Sequence, residues 1–175
     1  KETEPIVILE NNVFTRDIID EALKDDTRYT TNRNMRLLEI DETGTHLKIW
    51  VSSAVDITND VLWHPKALFK TITENVGYPQ PFSFLGGSDK VLINDCTGAN
   101  WAACADWTAA SLNYLIEHEA IDVIFSHFHS VDLQGHCIVK YMKDHGEGRK
   151  MTETDYAQCM EDVYTQADDY IGYFL

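Results

Sequence analysis

Positive charge is scarce in this chain: 14 Lys and Arg stand against 29 Asp and Glu, for a formal charge of −15. Without clustered Lys and Arg there is little to displace the counterions of a polyphosphate, which argues against a nucleic-acid partner. Long apolar runs are missing too. No stretch reaches the about eighteen residues that a membrane-spanning helix needs, and no membrane span is expected. The cysteines, Cys96, Cys104, Cys137 and Cys159, are widely spaced and form no Cys-x-x-Cys pair, which argues against a thiolate zinc cluster. Cys104 and Cys159 fall on apolar helical positions, where a free Cys behaves as a small core residue, and this usage fits a reducing compartment such as the cytoplasm. What the chain does have is 175 residues with 44% hydrophobic content, enough to bury one sizeable core.

Periodicity divides the chain into two unlike halves. Residues 6–9 read as a strand, and Thr15 is placed to cap a short helix whose Ile18, Ile19, Ala22 and Leu23 share a face. Residues 35–40 and 46–52, joined by Glu42-Thr43-Gly44-Thr45, read as a hairpin, with Leu47, Ile49 and Val51 on the apolar face and Trp50 on the polar register. Pro65 and Gly77 bracket a helix through Leu68, Phe69 and Ile72. Residues 78–90, with two Pro and a Gly-Gly-Ser, form the clearest loop.

Beyond it, Trp101, Cys104, Ala105, Thr108, Leu112, Leu115 and Ile116 recur at helical spacing. Residues 121–125 read as a buried strand, with a second, weak strand near Val91. Thr152-Glu153-Thr154-Asp155 is a capping-box start for a last helix carrying a stripe of Tyr156, Met160, Val163, Tyr164, Ala167, Ile171 and Phe174. Helix, strand, helix order favours an α/β fold with parallel pairing.

The chemistry concentrates after Ile121, Val123, Ile124 and Phe125, where the apolar run empties into Ser126-His127-Phe128-His129-Ser130-Val131-Asp132-Leu133-Gln134-Gly135-His136. Ligands collect beyond the carboxyl ends of strands in α/β sheets. If Gly135 lets the backbone turn into a helix, Asp132 and His136 stand four apart on one face and can converge on a divalent ion. The same spacing also suits a solvated helix face, and two ligands alone do not close a site. His127 and His129 share a register, and a His-x-His pair can chelate metal or line the mouth of the site. His145 lies in a charged, Gly-containing turn, and Cys96-Thr97-Gly98 reads as a helix cap.

With its flanks, the segment from Asp122 through Asp132-Leu133-Gln134-Gly135-His136 resembles the hallmark of the type I phosphodiesterase/nucleotide pyrophosphatase family in the alkaline phosphatase superfamily. The likeness is specific over residues 107–175 and loose before them. It implies that Asp132 and His136 bind one of two divalent ions, usually zinc, and that His127 and His129 occupy variable positions. It further implies that residues 91–175 are part of an alkaline-phosphatase-like αβα sandwich and that residues 1–90 form a β-rich, cap-like insert. The substrate class so implied is a small phosphate or phosphonate ester. The family's nucleophile and its later Ser-Asp-His-Gly strand have no match here, so the expectation is an internal piece of a longer phosphoesterase, inactive by itself and completed by the remainder of its parent chain. The competing expectation is a non-catalytic binding or scaffold module of the same fold.

Overall fold

The computed structural model describes residues 4–83, 89–143 and 151–175. The chain is mixed α/β and divides into two compact units, Lys1–Phe82 and Ser83–Leu175. The division falls inside the Pro- and Gly-containing stretch 78–90.

The first unit is built on an antiparallel sheet. Strands β1 (Phe14–Lys24), β2 (Thr27–Ile40) and β3 (Leu47–Val51) lie side by side in chain order, and a short β4 (Val55–Asp56) pairs with β2. The helix expected after Thr15 does not form: its residues are β1. The reason lies in the turn. Lys24 pairs with Thr27 across a two-residue loop, Asp25 and Asp26, both with positive φ (49° and 60°). That conformation matches the right-handed twist of paired strands and suits Asp better than most residues. Once β1 is drawn onto β2, side chains alternate between faces: Ile18 is buried, while Ile19 and Leu23 are exposed. Residues 6–9 form no strand. The chain enters the sheet slightly later, through a bridge between Asn11 and Leu37.

The expected second hairpin is present, with Met35 opposite Val51 and Ile40 opposite Leu47, but it is turned over. Trp50 is 7% exposed and packs on Phe14 at 5.9 Å, whereas Leu47, Ile49 and Val51 are exposed. Strand side chains alternate, so one face must win, and the large indole carries the most apolar area. Behind the sheet a polar brace holds the stretch that ends the unit. Asn32 Nδ2 donates to Pro79 O at 3.1 Å, Asn34 Nδ2 to Gln80 Oε1 at 3.1 Å, and Gln80 Nε2 to Asp17 Oδ1 at 2.5 Å. The helix between Pro65 and Gly77 forms as α1 (Ala67–Asn75), with Ile72 buried; Val76 and Gly77 (φ 118°) both donate to Ile72 O.

Helices make up the regular structure of the second unit among its described residues. A π-helical turn (Val91–Gly98) stands where the weak strand was expected and runs directly into α2 (Ala99–His118); α3 (Ser130–Lys143) and α4 (Glu153–Gly172) follow. The capping box forms at α4 as read from the sequence: Asp155 N donates to Thr152 Oγ1 at 3.2 Å and Thr152 N to Asp155 Oδ2 at 2.9 Å. Its buried face is Tyr156, Cys159, Val163 and Tyr170, so Tyr164 and Ile171 turn outward instead of joining the stripe. Ile93 and Ile138 complete that core with Tyr156, Cys159 and Val163.

The strand expected at 121–125 is absent. The segment is not helical, and Ile121, Val123 and Phe125 are exposed, Phe125 at 98%. Among the described residues its one backbone bond is Ile121 N to Glu119 O. A strand needs a neighbour to satisfy its N–H and C=O groups, and the described residues of this unit offer none.

Two outcomes follow. Ile138→Ala empties a fully buried site between α3 and α4 and is expected to cost about 2–5 kcal/mol, read as faster native-state hydrogen exchange across both helices; unchanged exchange contradicts the packing. In the β2–β3 loop, the Thr43 hydroxyl first, then the His46 backbone N–H and the Thr45 hydroxyl, lower the Asp41 pKa to about 2. Because the folded pKa is depressed, the loop's contribution is present above the unfolded value near 3.8 and fades as pH falls through the folded one. Carbon-detected titration of the Asp41 carboxyl checks this, and a midpoint at its ordinary value refutes the loop geometry.

Candidate functional site

α3 begins because three side chains pin its first turn. Phe128 stacks on Tyr170 at 4.4 Å between ring centroids and meets Trp101 edge-on at 5.9 Å, which seats the end of the extended segment against α2 and α4. The fully buried Ser130 then donates through Oγ to Gln166 Oε1 at 2.8 Å. Gln134, one turn on and also buried, donates through Nε2 to Ser130 Oγ at 2.7 Å and to Gln166 Oε1 at 3.2 Å. Gln166 in turn donates through Nε2 to Gly98 O at 2.9 Å. The buried Ser130 hydroxyl and Gln134 amide each have a partner, as buried polar groups require, and the half-buried Gln166 links them to α2.

With Ser130 and Gln134 facing inward, residues 129, 132 and 136 fall on the other side of the helix. His129 accepts the first intrahelical bond, from Leu133 N at 3.2 Å, and so stands at the helix entrance. Asp132 lies in the first turn, where the helix dipole favours a carboxylate. Its two oxygens are divided between two imidazoles: Oδ2 lies 2.6 Å from His129 Nε2, and Oδ1 lies 3.2 Å from His136 Nε2. The sequence spacing of Asp132 and His136 thus becomes a spatial pair. The rings of His127 and His129 lie 4.6 Å apart.

These four residues line a cavity of about 520 Å³ together with Phe128, Val131, Gly135, Val139, Met160 and Tyr164. The pocket is open to solvent, and its lining mixes titratable side chains with aliphatic and aromatic ones. Gly135 does not make the turn it was expected to make. It sits inside α3, and a Cβ there would meet Met160 Cε at an ordinary 3.6 Å.

The remaining candidates fall elsewhere. Cys96, Cys104 and Cys159 are buried free thiols and Cys137 is half-buried; burial raises the pKa of Cys159, as expected for an inert core thiol. Cys96-Thr97-Gly98 lies in the π-helical turn, with Gly98 at the N-cap of α2. His145 lies outside the described residues. Periodicity overlooked Gln166 on α4 and assigned Tyr164 to the core stripe, whereas Tyr164 lines the pocket. The i, i+4 pair Ser130 and Gln134, two polar residues on the face opposite Asp132 and His136, is the signal that α3 buries a polar side.

Gln166→Leu removes the acceptor shared by Ser130 and Gln134 and is expected to destabilise the second unit by about 1–3 kcal/mol, the cost of stranding buried polar groups. Faster amide exchange in the first turn of α3 is the measurement, and retained protection there would contradict the network.

Among the described residues, no three His, Cys, Asp or Glu side chains are disposed to hold a metal ion together, and no helix is long and apolar enough to cross a membrane. Compared with known proteins, the chain matches no family model, no curated protein and no solved structure.

Proposed function

We propose that Asp132 and His136 hold one divalent ion, zinc by donor type, in a metal-dependent phosphoric ester hydrolase of the type I phosphodiesterase/nucleotide pyrophosphatase kind. The αβα sandwich of that superfamily, with residues 1–90 as its insert, belongs to the same proposal, as does a second ion bound outside this pair. The observation that carries the reading is the 3.2 Å between Asp132 Oδ1 and His136 Nε2. Two ligands of one zinc ion, each bonded at about 2 Å in tetrahedral geometry, lie roughly 3.3 Å apart. The donor set, one carboxylate oxygen and one imidazole nitrogen, is the borderline-hard pair that zinc accepts.

Charge supports the same reading. A chain at −15 repels an anionic ester unless a cation offsets the field locally. Bound there, a divalent ion supplies Lewis-acid stabilisation of charge on a phosphoryl oxygen. The chain's own residues do the rest. Asp132 and His136 present their donors from one helix face, and Val131, Val139, Met160 and Tyr164 offer an apolar wall for the ester's organic part. The competing reading, a binding or scaffold module without this chemistry, makes the opposite prediction for an anionic ligand.

Isothermal titration separates the two. Wild-type protein is expected to take up zinc with modest affinity, micromolar or weaker, because two protein ligands leave the remaining positions to solvent. Asp132→Ala and His136→Ala are each expected to abolish the uptake. Phenylphosphonate is expected to bind the zinc-loaded protein and not the metal-free one. Zinc uptake indifferent to both substitutions overturns the metal site, and zinc-loaded protein that ignores phenylphosphonate favours the module.

A further inference from the structure

Asp132 touches two imidazoles, and the two contacts differ in kind. The 3.2 Å between Oδ1 and His136 Nε2 is an ion-pair contact one helical turn apart, and its length also matches the separation of two ligands around one zinc ion. The 2.6 Å between Oδ2 and His129 Nε2 is too short for that, because two ligands at roughly 2 Å from a tetrahedral centre cannot approach so closely. It is the length of a short hydrogen bond to a carboxylate. We propose that His129 is a positioning residue: it donates from Nε2 to Asp132 Oδ2 and thereby turns Oδ1 toward His136, readying the two-donor face for a cation. This rests on the metal reading of Asp132 and His136 and adds a residue and a role that the motif leaves variable.

The backbone supports the assignment. His129 stands immediately before α3, anchored by its carbonyl to Leu133 N and flanked by Phe128 and Ser130, both fastened to α4. Its ring is therefore delivered from a fixed point, while Asp132 and His136 lie 54% and 79% exposed at the side-chain level and have few other restraints. A half-exposed carboxylate samples several rotamers, and a short bond to one oxygen removes that freedom before the ion arrives. His127, with its ring 4.6 Å from that of His129, limits the swing of the donor ring. With Oδ2 committed to an N–H, His129 offers no Nε2 lone pair to the ion. A carboxylate ligand braced by an outer hydrogen bond is how metal sites commonly hold their first-shell oxygens.

The test has one arm without metal and one with it. In metal-free protein at a pH where the imidazoles are neutral, long-range proton–nitrogen spectra are expected to show His129 as the Nε2–H tautomer. The Nδ1–H tautomer overturns the proposal whether or not zinc binds. In zinc titrations, His129→Ala is expected to weaken binding by about 10–100-fold, and His129→Gln, whose amide also donates but coordinates zinc poorly, to restore most of it. Cobalt substituted for zinc is expected to give the same visible spectrum in wild type and His129→Gln. Unchanged affinity in His129→Ala overturns the positioning role while leaving the metal site intact. Failure of His129→Gln to rescue, with an altered cobalt spectrum, makes His129 a ligand and overturns it as well. Absence of zinc binding in wild type, with the Nε2–H tautomer present, sinks the metal reading and with it the purpose assigned to His129.

Discussion

The candidate site depends on one contact, the buried Ser130 hydroxyl held between Gln134 and Gln166. A helix start leaves backbone donors unsatisfied and is free to rotate about its axis unless something fixes it. Here the buried Ser130 hydroxyl and Gln134 amide, with the half-buried Gln166, set that rotation and tie α3 to α4 and, through Gly98 O, to the beginning of α2. Polar groups in such a place are costly when unpaired, so the arrangement has little room to slip. Which residues of α3 face the cavity follows from this.

The cavity then acquires its character from opposite sides of two helices. α3 supplies Asp132, His136, Val131 and Val139, the segment before it supplies His127 and His129, and α4 supplies Met160 and Tyr164. Tyr164 is exposed although it belongs to the apolar periodicity of α4, because the core is filled by Tyr156, Cys159 and Val163, one step round the helix. An aromatic side chain displaced from the core onto a cavity wall is a use of apolar area that packing alone does not call for. It gives the titratable side chains of the pocket an apolar neighbour.

The same competition for faces shapes the first unit. Trp50 claims the interior and expels Leu47, Ile49 and Val51, although three aliphatic residues at period two are the more regular signal. Ile18, Ile19, Ala22 and Leu23 satisfy helical spacing and yet lie in β1, because two Asp residues accept the left-handed conformation that a tight hairpin demands. A local pattern of period 3.6 yields when pairing along a fourteen-residue β2 offers a full ladder of backbone hydrogen bonds.

Features that depend on near neighbours along the chain can be read from the residues in order. The α2 and α4 helices, the Thr152 cap, the helix between Pro65 and Gly77, the β2–β3 hairpin and the one-turn spacing of Asp132 and His136 all rest on interactions within a few residues, and all are legible without coordinates. Only the tertiary structure makes β1 a strand, turns Trp50 inward, leaves residues 121–125 without a strand partner among the described residues, and brings His129 to Asp132. Each of these turns on which surface a segment meets: a partner strand, a filled core, a helix end fastened from behind. Periodicity records only what repeats along the chain, whereas the free energy of burial and of hydrogen-bond satisfaction depends on what lies across the gap.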